Sequence, residues 1–135
     1  MPYTIAWKTR GILWTFYGVL TGEDAMQANL DIYGDPRFDD LLYQIVDLSA
    51  VERFMVTPED LDTAAALDDA ATVTKPRLVV AVIAAKRDAL TVAELYKSAM
   101  RVSRWKVRIF DSMEEARKWI QFACGMVVED GQPDR

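Results

Sequence analysis

Histidine is absent from this 135-residue chain, and cysteine occurs once. Without histidine there is no Ser-His or Cys-His nucleophile pair and no His-ligated zinc or iron site. Cys124 by itself cannot close an intrachain disulfide or a CxxC redox pair. Glycines are few, six in all. None fall in the GxGxxG or GxxxxGK[ST] spacing that lets a backbone approach a phosphate, so dinucleotide and P-loop readings fail. The longest apolar run, Leu78 to Ala85 (LVVAVIAA), is far short of the roughly 20 residues a membrane helix needs. The opening Met1-Pro2-Tyr3-Thr4 lacks the basic start and apolar stretch of a secretory signal. The expectation is a cytoplasmic protein with no transmembrane segment, no disulfide and no metal or other cofactor.

What remains is a folding composition, 51% apolar and 27% charged, at a length typical of one domain. Positions 1–126 are expected to form that domain, and 127–135 (VVEDGQPDR) a polar tail. Charge is unevenly divided. The net value is −5 overall, but residues 1–73 carry −9 and residues 74–135 carry +4. This balance argues against nucleic acid as a partner. The densest basic stretch is Lys97, Arg101, Arg104, Lys106 and Arg108, with no acidic residue between them. It is a candidate basic surface, able to attract a protein partner or the acidic half of a second copy in a homodimer.

Periodicity then orders the chain. Tyr3, Ile5 and Trp7 alternate with polar or small residues, as do Ile12, Trp14 and Phe16, and Thr9-Arg10-Gly11 between them suits an antiparallel hairpin. Thr21, three residues before Asp24, caps a helix that buries Ala25, Met26, Ile32 and Tyr33 and stops at Gly34. Leu41 to Leu48 reads as a strand. Thr57-Pro58-Glu59-Asp60 opens a second helix, running to about Val73 with Leu61, Ala64, Leu67 and Ala71 inside. Arg77 to Ala84 is the most apolar strand and is expected at the centre of the sheet. The third helix has Val92, Leu95, Tyr96, Ala99 and Met100 on one face. Lys106 to Phe110 is a short strand. Ser112 and Glu115 form a capping box for a last helix with Met113, Ala116, Trp119, Ile120 and Ala123 inside and Gly125 at its end. The order ββαβαβαβα predicts an α/β fold: a mostly parallel sheet with an N-terminal antiparallel hairpin, right-handed crossovers and flanking helices.

The clusters that could carry chemistry have ordinary explanations. Asp35, Asp39 and Asp40 share one loop and read as turn formers. Asp68 and Asp69 are neighbours on a helix, point in different directions and read as solvated charges. Cys124 reads as a half-buried structural thiol. Of the four tryptophans, only Trp105 stands between basic residues as a base-stacking side chain would.

Gln44 to Asp60 reads QIVDLSAVERFMVTPED: an apolar strand ending at Asp47-Leu48-Ser49-Ala50-Val51, a loop, and a capped helix. This resembles the strand-loop-helix of STAS domains, the family of anti-sigma factor antagonists. In those proteins a DLSG-like strand end precedes an Asp-Ser-Ser-Gly-like helix start whose serine is phosphorylated by a partner kinase. Here Ala50 stands in the glycine's place and Met55-Val56-Thr57-Pro58 replace the second motif. Only Thr57 keeps a hydroxyl there, and it reads as a helix cap. Two further segments, YGDPRF at 33–38 and VRIFDSMEEARKWI at 107–120, resemble the SpoIIAA-like group of STAS-related bacterial proteins, in which a strand ending in Phe leads into a Glu-Glu-Ala-x-x-Trp-Leu-like final helix. The resemblance covers about residues 3–122.

It implies a SpoIIAA-like fold and a regulatory role without an assigned reaction. The leading expectation is therefore a non-enzymatic regulatory or protein-interaction module, its phosphorylation switch lost, with a partner-binding loop containing Ser49, Glu52, Arg53 and Thr57. The alternative is a binder of an apolar small molecule or lipid between helices and sheet. The small and adaptable residues Ala64 to Ala66, Ala99 and Met100 suggest it. No catalytic residue is expected.

Overall fold

The structure is a computed structural model that describes residues 2–126. The expected polar tail lies outside the described residues. Five strands, β1 (Tyr3–Lys8), β2 (Gly11–Thr21), β3 (Tyr43–Met55), β4 (Val79–Ile83) and β5 (Lys106–Phe110), form one sheet in sequential order. β1 and β2 are antiparallel and the other pairings are parallel. Four helices, α1 (Gly22–Tyr33), α2 (Pro58–Ala71), α3 (Arg87–Ala99) and α4 (Met113–Cys124), follow β2, β3, β4 and β5 in turn. The alternation read from the sequence is thus the alternation observed.

The sequential strand order decides where the helices go. Each parallel crossover steps one strand in the same direction, and right-handed crossovers in one direction put their helices on one face. Accordingly α1, α2 and α3 pack with Trp14, Phe16, Leu20, Val80 and Val82 on that face. After β5 no strand remains to be reached, and α4 folds back over Tyr43, Ile45, Val79, Ala81 and Ile83 on the other. The strand order never reverses, so the sheet has no switch-point crevice of the kind that holds nucleotides in doubly wound folds.

The local signals behave as their chemistry requires. Thr21 and Thr57 each form a reciprocal capping box, with Asp24 and Asp60 respectively, and Pro58 occupies the first turn of α2. Gly125 ends α4 in the left-handed conformation at φ +64°, where a glycine carries no Cβ penalty. Gly11 is required for a different reason. A Cβ there would lie 1.9 Å from the ring of Tyr43, which crosses over it.

Several expectations need correction. β3 does not end at Leu48 but continues to Met55, paired with β2 to Thr21 through two register shifts. Asp47 accepts the Ser49 backbone N–H at 2.9 Å beside the first shift, which stabilises the bulge and lets the ribbon go on. β4 is buried along its whole length but is not central; β3 is. Ser112 accepts the Glu115 N–H without the return bond, so α4 has half of the expected capping box. Leu95 and Ala123 face outward, because the inner stripes of α3 and α4 fall on Ala89 and Ala93 and on Ala116 and Ile120.

Candidate functional site

Between the sheet and its three-helix cover lies an apolar cavity of about 110 Å³. Its floor is Trp14, Phe16 and Leu20 of β2, Gln44, Val46 and Leu48 of β3, and Val80 and Val82 of β4. The helices flank it, leaving it partly open, with Ala25 and Asn29 of α1, Leu61, Ala64 and Asp68 of α2, and Val92, Ala93 and Tyr96 of α3. The void follows from residue size. Each helix presents an alanine where a longer side chain would reach the sheet, and the close-packed surroundings relax only partly into the space this leaves. Of the residues that suggested room beside the sheet, only Ala64 lines the cavity. Ala65 and Met100 are buried elsewhere, Ala99 is half-buried, and Ala66 is exposed.

The polar groups in this wall are arranged. The Trp14 indole Nε1–H donates to the Gln44 side-chain oxygen at 3.1 Å, which satisfies both in the core. Asp68 is 6% exposed, which overturns its reading as a solvated charge. It lies on the inner stripe of α2 with Leu61, Ala64 and Ala65. Tyr33 from α1 donates its hydroxyl to Oδ1, and Tyr96 from α3 donates to Oδ2 at 2.5 Å. One carboxyl group therefore ties the three helices together. Burial pushes its pKa up to about 6 against the opposing pull of the two hydroxyl donors. Both tyrosines are raised in turn, first by burial and then by the Asp68 charge. The signal for Asp68 was present in the sequence: Leu61, Ala64, Ala65, Asp68 and Thr72 recur at helical spacing, and the aspartate falls inside that apolar stripe.

A second feature is a groove along β5, the edge strand opposite β1. Lys97 from α3, Arg101 from the turn after it, and Lys106 and Arg108 from β5 line it together with Trp105, Trp119 and one acidic residue, Glu94 of α3. The Arg108 guanidinium lies 5.6 Å from the Trp119 ring centroid and 5.4 Å from that of Phe110, within cation–π range. Arg104 is exposed but is not part of this groove. Trp105 is buried and donates its Nε1–H to the Lys75 carbonyl at 2.6 Å, so it is a packing residue and not a stacking platform.

The expected partner-binding loop is not a loop. Ser49, Glu52 and Arg53 are exposed positions on the β2–β3 ribbon, and Thr57 follows as the α2 cap. The outer side of the same ribbon exposes Tyr17 and Val19. The loop carboxylates are also accounted for. Asp35 caps the 3-10 turn Pro36–Asp40 and pairs with Arg37 at 2.7 Å, whose hydrogen bonds hold its pKa at about 2. Cys124 is half-buried with its thiol 3.7 Å from the Leu42 carbonyl oxygen, and burial raises its pKa. Among the described residues no three acidic or cysteine side chains gather as metal ligands, and no helix is long and apolar enough to cross a membrane.

This architecture is similar to that of solved proteins with a SpoIIAA-like fold. The unphosphorylated form of SpoIIAA, an anti-sigma factor antagonist, superposes with a TM-score of 0.57 at 10% identity, over 92% of this chain and 99% of that one. An uncharacterized protein with a SpoIIAA-like fold from Shewanella loihica PV-4 superposes with a TM-score of 0.50 at 16% identity, over 87% and 90% of the two chains. No family model matches the chain, and no curated protein matches it significantly. At such identities the likeness is one of fold: a SpoIIAA-like α/β sheet with four helices.

Proposed function

We propose that this chain is a non-enzymatic interaction module of the SpoIIAA-like fold that receives an acidic protein segment in the basic groove beside β5. The observation that carries this reading is the convergence of Lys97, Arg101, Lys106 and Arg108, from a helix, a turn and a strand, on one groove. The outer backbone edge of β5 takes no strand among the described residues, so an extended segment can add to it while its carboxylates meet the four cations. Residues 1–73 of a second copy, net −9, have the charge such a site attracts, which makes a salt-sensitive homodimer the simplest complex. The exposed positions Ser49, Glu52, Arg53 and Thr57 remain a second contact surface beside the ribbon. Binding of a labelled acidic peptide and the sedimentation of the chain alone, each at low and high salt, test the reading. Association should weaken as salt shortens the screening length to about 8 Å at physiological strength and less beyond it. It should be lost in a Lys97→Glu, Arg101→Glu, Lys106→Glu variant; association unchanged by salt and by these substitutions would refute the groove.

A second reading is favoured by the cavity: a small, mostly apolar ligand bound between the three helices and the sheet. An engineered apolar cavity of about 150 Å³ holds benzene, and the present 110 Å³ sets a slightly smaller limit. Such a ligand would tie α1, α2 and α3 to the sheet and regulate the module by stabilising it.

A further inference from the structure

We propose that the cavity is selective for a small ligand with an apolar body and a protonated amine, which Asp68 receives as its counter-ion. The inference rests on the cavity reading above and adds the chemistry of the ligand. Three observations support it. Asp68 belongs to the cavity wall and is 6% exposed. Each carboxylate oxygen accepts one tyrosine hydroxyl, Tyr33 on Oδ1 and Tyr96 on Oδ2, which leaves each oxygen with acceptor capacity unused. The groups that act on Asp68 are those two tyrosines, with no lysine or arginine among them. An ionised carboxylate in this place is therefore a buried charge without a counter-ion, a costly state that a cation relieves. The floor facing it supplies apolar surface and Gln44, whose oxygen is already engaged by Trp14.

A neutral ligand of the same shape gains only the apolar contacts. An alkylammonium gains those and a charge-assisted hydrogen bond as well. The titratable groups that face Asp68 are Tyr33 from α1 and Tyr96 from α3, and the sheet contributes none to the cavity wall. Both tyrosines stay protonated at neutral pH, since burial and Asp68 raise them. The pH dependence of amine binding accordingly follows Asp68 alone. Binding should strengthen as pH rises through its value near 6, because the carboxylate must lose its proton to act as an anion.

Cyclobutylamine and cyclobutanol, which share size and shape and are smaller than benzene, separate the charge from the cavity. Chemical-shift titrations of the full chain would follow both at about pH 8 and about pH 4.5, on either side of the Asp68 transition. The amine should bind about tenfold tighter than the alcohol at the higher pH, with the preference gone at the lower. Asp68→Asn should abolish the preference and keep alcohol binding. The wild-type pH profile carries the same information should that variant fail to fold. Equal binding of amine and alcohol at the higher pH would overturn the amine inference and leave the cavity reading standing. Binding of neither would overturn both.

Discussion

Where α4 crosses β3, β4 and β5, the sheet is covered by one helix whose Ala116 and Ile120 are fully buried against Tyr43, Ile45, Val79, Ala81 and Ile83. On the opposite face three helices share the cover and still leave about 110 Å³ empty, with a carboxyl group and two tyrosine hydroxyls at its edge. The number of helices does not decide how well a face is filled. One helix with a single large buried residue at the right spacing packs closely, whereas three that present alanines to a twisted sheet cannot all reach it. The same contrast separates stability from recognition. The buried centre of the α4 face, beneath Ala116 and Ile120, has only packing to offer, and the three-helix face combines space, polarity and a group whose charge is poised near neutral pH.

The sharpest way to break this comparison is to truncate the closely packed face. Ile120→Ala should cost about 2–5 kcal/mol in urea denaturation, because a fully buried side chain is removed where no neighbour can follow. A cost under about 1 kcal/mol would show that the α4 face is loosely packed after all.

Next comes the pH dependence of the three-helix face. A folded-state value near 6 for Asp68 lies above the roughly 3.9 of a free aspartate, so the folded state binds the extra proton between the two. The sign is then fixed: this contribution is full below about pH 4 and is lost as pH rises through 6. The loss is about 3 kcal/mol in wild type and is absent in Asp68→Asn. Parallel stability–pH profiles for the two proteins would contradict the assignment.

Adding volume should discriminate the faces in the opposite direction. Ala116→Leu, on a fully buried position beneath α4, should cost roughly 1–3 kcal/mol by overpacking. Ala64→Val, facing the cavity, should be neutral or stabilise by up to about 1 kcal/mol, as cavity-filling changes do. Equal losses from the two would mean that the cavity does not exist in solution.

The smallest effect concerns the cap at the start of α2. Thr57→Ala removes the hydroxyl that accepts the Asp60 N–H at 3.1 Å and should cost about 1 kcal/mol, whereas Thr57→Ser should be close to neutral. The reciprocal box with Asp60 explains Thr57 as a structural residue. Peptide mapping of protein from its native host should find it unmodified, and a phosphate there would restore the switch reading.

Much of this protein was written locally. The hairpin, the order of strands and helices, the Thr21 and Thr57 caps and the Gly125 stop follow from periodicity and from side chains bonding to backbone a few residues away, which are interactions a sequence states outright. The basic residues were legible as well, although their meeting was not: Lys97 and Arg108 share a groove because α3 ends beside the edge strand that follows it. Beyond such local rules, tertiary structure decided. β3 continued past Leu48 because β2 was there to pair with it, turning a supposed loop into a ribbon. Asp68 lay in an apolar stripe that the sequence displayed, but its burial depended on hydroxyls 35 residues before it and 28 after it along the chain. Local chemistry sets what each segment can be; whether a carboxylate is solvated or buried, and whether alanines enclose space or fill it, depends on which distant side chains arrive beside them.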